Sequence, residues 1–142
     1  MLRIKNSIHK NQSNNSAKYL IFIFSILFNL AFSQSGKLII SGVFDGPLSG
    51  GTPKGVELFV REAITDLSKY AVGSANNGGG TDGPEYTGMS GSASAGSFIY
   101  LTANATEFST FFGFAANYET NEVNINGDDA IELFYDASGN FS

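Results

Sequence analysis

Glycine residues divide this chain into short apolar segments, and their distribution restricts the possible folds more than any other feature. All 17 glycines lie after residue 35, in clusters that separate one apolar run from the next. Short runs bounded by glycine-rich turns are typical of β-strands, since a helix needs a longer periodic segment. The sequence therefore predicts an all-β domain in residues 34–142.

The expected strands are separated by turns and one long loop. They occupy residues 37–44, 56–60, 69–73, 97–102 and 130–135. Residues 45–54 should form a turn-rich loop, and residues 74–96 a long polar loop with one weak strand near Tyr86. This turn-linked order predicts an antiparallel β-sandwich of two sheets with one short helix.

Alternation along the strands predicts which side chains point to the core. In the first strand, Leu38, Ile40 and Phe44 should share one face, because strand side chains alternate with a period of two. The same rule places Val56, Leu58 and Val60 together in the second strand. The run 97–102 is apolar on both faces, which is typical of a central, buried strand.

The single helix is expected directly after the strand at 97–102. Thr106 can cap its first turn, where the positive end of the helix dipole favours the acidic Glu107. Gly113 should end it, since glycine readily adopts the left-handed backbone of a helix C-terminus. We therefore expect one or two helical turns that pack over the end of the sandwich.

Phenylalanine is concentrated on this helix. Phe108, Phe111 and Phe112 lie at i, i+3 and i+4, the spacing of one helical face. Together with Phe114 they could form an exposed aromatic patch for a ligand such as a glycan. The helical spacing favours the other interpretation, in which these rings belong to the core.

The N-terminal segment has the organisation of a secretory leader. Residues 1–18 carry four basic residues and no acidic one, and the 14 residues that follow are apolar except for Ser25 and Asn29. This stretch is shorter than the roughly 20 residues that span a bilayer. With small residues at Ala31 and Ser33, it predicts a signal peptide at residues 1–33, cleaved after Ser33. A cut after Ser35 and a retained membrane anchor are the alternatives.

Removal of the leader makes the chain strongly acidic. Residues 34–142 keep four basic residues against 13 acidic ones, a formal net charge of −9 over 109 residues. Such a surface disfavours binding to nucleic acid and to anionic lipid, and contact with a membrane is expected only through an uncleaved leader. It suits cations or basic partners, or serves solubility alone. The absence of cysteine excludes disulfides and favours a bacterial source.

The residues do not combine into a catalytic site. The single histidine, His9, lies in the leader, which excludes Ser–His–Asp and Cys–His catalysis in the mature chain. Chemistry by carboxylates alone would have to use one of three pairs: Asp128 with Asp129, Glu119 with Glu122, or Asp82 with Glu85. The sequence therefore predicts a protein that is not an enzyme and has no organic cofactor.

One acidic pair is also a candidate metal site. Asp128 and Asp129 could share a Ca²⁺ ion in a turn, with further oxygens from Asn124, Asn126 or backbone carbonyls. In the alternative interpretation, Gly127-Asp128-Asp129 is turn chemistry, and an Asp side chain accepts hydrogen bonds from nearby backbone amides.

Five short segments follow one another in an order that points to a known family. They are Leu38-Ile39-Ile40-Ser41, Lys54-Gly55-Val56-Glu57-Leu58-Phe59, Asp66-Leu67-Ser68-Lys69-Tyr70, Ala95-Gly96-Ser97-Phe98-Ile99-Tyr100-Leu101 and Gly127-Asp128-Asp129-Ala130-Ile131-Glu132-Leu133. Together they resemble the motifs of the lamin-tail domain, an immunoglobulin-like sandwich that also occurs in exported bacterial proteins. Family members continue with one more apolar strand, whereas here Asn140-Phe141-Ser142 ends the sequence. We therefore expect the domain to lack its last strand.

The resemblance implies a non-catalytic binding or accessory domain of an exported bacterial protein, secreted or held at the cell surface. A protein or a glycan is the expected kind of partner. One alternative is an N-terminal fragment of an exported hydrolase, a nuclease or phosphatase, whose catalytic domain lies beyond residue 142. The other is a Ca²⁺- or glycan-binding module.

Overall fold

The computed structural model describes residues 36–141, so the expected signal peptide, residues 1–33, lies outside the described residues. The strands are β1 (Leu38–Leu48), β2 (Thr52–Val60), β3 (Tyr70–Ala75), β4 (Phe98–Thr102), β5 (Tyr118–Glu119) and β6 (Ala130–Tyr135), and the helix is α1 (Ala105–Phe112). Short 3-10 turns occupy Leu67–Lys69, Asn76–Gly78 and Asn121–Val123. The expectation of a β-rich domain with one short helix is confirmed for this part of the chain. None of its helices is long and apolar enough to cross a membrane.

The strands form two sheets within residues 36–141. The larger sheet has the order β1-β2-β4-β5, and the smaller pairs β3 with β6. All pairs are antiparallel except β4 and β5, which run parallel and match Leu101 with Tyr118 and Thr102 with Glu119. The antiparallel arrangement expected throughout is therefore wrong at this edge. Helix α1 lies between β4 and β5 in the chain, and a parallel pair needs such a crossover connection rather than a tight turn.

Both sheets contribute side chains to one core. Val56, Leu58 and Val60 on β2 are each 0% exposed and share a face, as the alternation predicts. We call this face of the four-stranded sheet the inner face and the opposite one the outer face. The core also contains Val72 on β3, with Leu133 on β6 packed against it. The long segment between β3 and β4 is anchored to this core by Met89, which is 1% exposed.

The β1–β2 hairpin differs from the expected loop at residues 45–54. Strand β1 continues to Leu48, and Asp45 pairs with Lys54 across the hairpin. The turn itself is short and contains Gly50 and Gly51, whose φ angles of 84° and 73° favour glycine. Pro47 lies in β1, an edge strand, which is where sheets tolerate proline. The glycines and prolines of this segment therefore shape a hairpin rather than a loop.

A β-bulge in β1 changes the face on which Phe44 lies. Ile40 pairs with Leu58, but Gly42 pairs with the next residue of β2, Glu57, so Ser41 is an extra residue in the strand. An extra residue moves every later side chain to the opposite face. The expectation that Leu38, Ile40 and Phe44 share a face is wrong for this reason, and Phe44 belongs to the outer face.

The loop at residues 74–96 follows the sequence expectation in part. Residues up to Ala75 still belong to β3, Asn76–Gly78 form a 3-10 turn, and the rest of the loop has no regular strand or helix. Tyr86 forms an isolated bridge with Val72, which is the weak strand expected at that position. Ala93 forms a second bridge, with Ile64. These two bridges attach the long segment to the rest of the domain before β4 begins.

Candidate binding surface

Eight aromatic rings form a continuous group on the outer face of the four-stranded sheet and on α1. We call this group the aromatic cluster; it consists of Phe44, Phe59, Phe98, Tyr100, Phe108, Phe111, Phe112 and Phe114. Centroid separations between neighbours range from 4.6 Å for Phe108 and Phe112 to 6.4 Å for Phe98 and Tyr100. These are the separations of tilted and edge-to-face aromatic pairs. The rings therefore support one another rather than standing as isolated apolar residues.

The position of Phe44 in the cluster depends on a glycine. The bulge turns Phe44 to the outer face, where it pairs with Gly55 of β2. A Cβ atom at residue 55 would lie only 2.6 Å from Cζ of Phe44, so any side chain there would displace the ring. With Gly55, the Phe44 ring lies across the sheet and its centroid reaches 5.8 Å from that of Phe108. This close approach joins strand β1 to helix α1.

Helix α1 differs from the expectation at its N-terminus and agrees with it at its C-terminus. Its N-cap is Asn104, so the expected cap at Thr106 is wrong. The backbone amide of Ala105 donates to Oε1 of Glu119 on β5, which places a carboxylate at the positive end of the helix. At the other end Gly113 has a φ of 81° and closes the helix, as predicted. Contact with β5 rather than a local side chain therefore fixes where the helix starts.

The rings on and after α1 differ sharply in exposure. Phe108 is 0% exposed, whereas Phe111, Phe112 and Phe114 are 50%, 40% and 44% exposed. The core interpretation favoured by the helical spacing is thus correct for Phe108 and wrong for the other three. The helix has only eight residues and lies on the outer face of the sheet, where Phe108 alone is fully covered by its neighbours. Phe98 on β4 adds another ring that is 46% exposed.

Polar groups border the aromatic cluster on the sheet. The carboxylate of Glu57 accepts a hydrogen bond of 2.8 Å from Oγ of Ser41, and Glu57 pairs in register with Tyr100. Burial raises the pKa of the Tyr100 phenol, and the adjacent Glu57 raises it further by a hydrogen bond and by its charge. The Tyr100 hydroxyl therefore remains neutral at physiological pH. The surface combines apolar rings with a carboxylate and hydroxyl groups.

A pocket of about 280 Å³ opens beside Phe98. Four serines contribute to its wall: Ser90, Ser92, Ser94 and Ser97. We call it the serine pocket. Asn117 and Tyr118 line its other side. The pocket lies beside Phe98 and Ile99, in the part of β4 that precedes its pairing with β5 at Leu101 and Thr102.

The candidate metal ligands Asp128 and Asp129 lie in the turn before β6. Oδ1 of Asp129 accepts from the backbone amide of Asn77 at 2.8 Å, and Oδ2 accepts from that of Asn126 at 2.7 Å. These bonds lower the pKa of Asp129, with the Asn77 amide contributing most. Both oxygens therefore act as turn acceptors, the role that the alternative interpretation predicts. Asp128 is exposed. In residues 36–141, three or more acidic, histidine or cysteine side chains nowhere converge in a way that could hold a metal.

The remaining candidate carboxylates act on separate parts of the backbone. Oε2 of Glu85 accepts from the amide of Ser74 at 2.7 Å, while Glu119 binds the start of α1. Asp82 is exposed in the long loop, and Glu122 lies in the 3-10 turn after β5. Glu85 and Glu119 therefore each accept from a backbone amide, in two different parts of the domain.

Lys54 is a buried charge whose role the sequence analysis did not identify. Its side chain is 8% exposed, and its Nζ donates to the carbonyl of Ile125 and, at 3.0 Å, to Oδ1 of Asn126. Asp45 lies 3.4 Å away across the β1–β2 hairpin. Asn126 therefore directs its amide oxygen at an ammonium group, which disfavours its proposed role as a Ca²⁺ ligand. Lys54 ties the hairpin to the segment before β6.

The sequence analysis also overlooked three rings of the cluster, Phe59, Phe98 and Tyr100. A signal was available, because residues 57 and 59 alternate with the buried positions of β2 and must point outward. The pairing of Phe59 with Phe98 across β2 and β4 could not be read from either strand alone. Comparison with known proteins adds no relative: no family model matches the chain, and the searches of curated proteins and of solved structures find no match.

Proposed function

We propose that this chain is a non-catalytic accessory domain of an exported bacterial protein and that it binds a glycan through the aromatic cluster. The observation that carries the proposal is the exposure of four rings, Phe98, Phe111, Phe112 and Phe114, at 40–50% each in one continuous group. Exposed apolar patches of this kind mark interaction sites, because water contact with so many rings is unfavourable.

The chemistry around the rings favours a glycan over other partners. The C–H faces of sugar rings pack against the negative face of an aromatic ring, while sugar hydroxyls need donors and acceptors nearby. Glu57, Ser41 and Tyr100 supply such groups at the border of the cluster. The described chain has four basic residues against 13 acidic ones, which disfavours nucleic acid and other polyanions.

The proposed fold type is the lamin-tail variant of the immunoglobulin-like sandwich. Several residues of the five quoted motifs stabilise turns or connections between strands. Asp66 caps the 3-10 turn by accepting from the amide of Ser68 at 3.1 Å, and Asp129 organises the turn before β6. Lys54 links the hairpin to that same turn. These contacts support the proposed fold type, since the motif residues hold turns and connections rather than a catalytic centre.

Export is the second part of the proposal and rests on the basic flank and apolar run of residues 1–32. Expression of the full chain in a bacterial host, followed by N-terminal sequencing of the extracellular protein, tests it. We expect the exported product to begin at Gln34. A product that keeps Met1 and stays with the membrane would instead support the retained anchor.

Binding is tested on the same exported protein with a panel of immobilised polysaccharides, by affinity electrophoresis. Each stacked ring should contribute about 1 kcal/mol, which corresponds to roughly a fivefold change in Kd. We therefore expect Phe98→Ala and Phe114→Ala together to weaken binding by more than about tenfold. Tyr135→Ala is the matched control, because this ring is 40% exposed but packs on Tyr70 of the smaller sheet.

Three results would count against the proposal. The first is that no polysaccharide of the panel retards the unaltered protein. The second is that the control variant loses as much affinity as the double variant. The third is retardation by a purified protein partner but by no glycan, which would assign the aromatic cluster to protein binding.

A further inference from the structure

The serine pocket has a composition that restricts what it can bind. None of its lining residues is acidic, basic or histidine, although the described chain as a whole is rich in carboxylates. Its polar groups are serine hydroxyls, the Asn117 amide and the Tyr118 phenol. A charged ligand group would lose water here without gaining an ionic partner, which is unfavourable. The pocket is therefore suited to a neutral ligand with many hydroxyl groups.

The size of the pocket also limits the ligand. Its volume of about 280 Å³ is just below the range of roughly 300–1,000 Å³ found for pockets that hold drug-sized molecules. One ring of a saccharide is a suitable occupant, whereas an oligosaccharide would have to extend beyond the opening.

Phe98 connects the pocket to the aromatic cluster. Its ring lines the pocket and also packs on Phe59, at 5.1 Å between centroids, and on Tyr100, at 6.4 Å. A sugar seated in the pocket can therefore stack on Phe98 while the units attached to it continue toward Tyr100 and Phe114. The centroids of these two rings are 5.0 Å apart.

We infer that the serine pocket holds one uncharged sugar unit, stacked on Phe98, and that the rest of the chain of sugars lies along the aromatic cluster. This inference rests on the proposed glycan-binding function and adds a position for one unit and a selectivity for uncharged glycans. Oδ1 of Asn117 already accepts from the backbone amide of Tyr100, and Oγ of Ser97 donates to the carbonyl of Ser94. The hydroxyls of Ser90, Ser92 and Ser94 and the amide nitrogen of Asn117 therefore exchange hydrogen bonds with the sugar hydroxyls, and Phe98 covers the apolar face of the ring.

The test measures the affinity of the full exported protein for four hexasaccharides by isothermal titration calorimetry. Three are neutral, composed of β-1,4-linked glucose, mannose or N-acetylglucosamine, and the fourth is α-1,4-linked galacturonate. We expect at least one neutral hexamer to bind, and the galacturonate hexamer to bind at least about tenfold more weakly, because its carboxylates find no cation in the site.

Variants of the pocket separate this inference from the broader proposal. Ser92→Gln combined with Ser94→Gln fills the pocket with larger neutral side chains and should weaken binding of the neutral hexamer by about tenfold or more. Ser49→Gln, in the β1–β2 turn, is the matched control and should bind normally. Circular dichroism of each variant establishes that its fold is retained.

The outcomes are distinguishable. If the unaltered protein binds neutral hexamers, Phe98→Ala weakens binding and the double serine variant binds normally, the pocket assignment is wrong while the aromatic surface stands. Equal affinity for galacturonate and neutral hexamers would also overturn the selectivity. If none of the four hexamers binds, the glycan function and the pocket assignment fail together.

Discussion

Replacement of Phe108 by alanine tests whether helix α1 is held on the sheet by a single ring. Phe108 is 0% exposed, and its centroid lies 4.6–5.8 Å from those of Phe44, Tyr100, Phe112 and Phe114. Removal of this ring leaves a cavity between the helix and the outer face of the sheet. The surrounding backbone belongs to paired strands and cannot close over the space freely.

The expected loss of stability is large for one substitution. Truncation of a buried phenylalanine lowers the free energy of unfolding by about 3–5 kcal/mol, through lost transfer energy and the cavity together. Phe111 is the matched control, because it lies on the same helix but is 50% exposed. Full burial of a phenylalanine contributes about 1.5–3 kcal/mol, so half of it corresponds to roughly 1 kcal/mol for Phe111→Ala.

The assay is urea denaturation followed by far-UV circular dichroism, since the chain has no tryptophan. With a slope of about 2 kcal/mol per molar urea, Phe108→Ala should lower the midpoint by about 2 M and Phe111→Ala by about 0.5 M. Phe108→Leu, which keeps most of the volume, should lose about 1 kcal/mol and serves if the alanine variant does not fold. Equal, small losses for Phe108→Ala and Phe111→Ala would refute the docking of α1 through Phe108.

Three further predictions concern polar groups. Lys54→Met should lower the free energy of unfolding by about 1–3 kcal/mol, because the buried Ile125 carbonyl loses its donor. Lys37→Met, at an exposed side chain, should change it by less than about 0.5 kcal/mol. Similar losses in both variants would contradict the stabilising role of the Lys54 contacts. The pKa of Asp129 is lowered from 3.8 in the folded state. The stability that its ionised carboxylate contributes is therefore complete above pH 3.8 and is lost as pH falls through the lower folded pKa. Asp129→Asn should flatten the decline in urea midpoint below about pH 4, and an unchanged decline would argue against its turn bonds. Millimolar Ca²⁺ should leave the melting temperature unchanged, since Asp129 is committed to backbone amides; a rise that EDTA reverses would restore the proposed Ca²⁺ site.

Much of the local structure was predictable because its causes are local. Gly113 ends α1 with a left-handed backbone that few other residues adopt. Asp66 caps the 3-10 turn that follows it by accepting from the backbone amide of Ser68, two residues further along the chain. The alternation of Val56, Leu58 and Val60 required only that one face of a strand be buried. In each case the residues that determine the conformation are neighbours in the chain.

The candidate surface was less predictable, because its members come from four segments: β1, β2, β4, and α1 with Phe114 after it. Helical spacing pointed to Phe108, Phe111 and Phe112 as equals, but burial depends on which ring meets the sheet. Phe108 lies against Tyr100 of β4, while Phe111 packs on Phe112 at the surface. Neither contact is encoded in the periodicity of the helix itself.

The sequence alone determined the β-rich character of residues 36–141, the presence of one helix and the chemistry of its turns, since these follow from glycine spacing, alternation and capping between near neighbours. The tertiary structure decided the face of Phe44, the start of α1 at Ala105 beside Glu119, and the position of the serine pocket next to the part of β4 that does not pair with β5. These features depend on the register between strands far apart in the chain. A shift of one residue, as at the Ser41 bulge, moves side chains from one face of a sheet to the other.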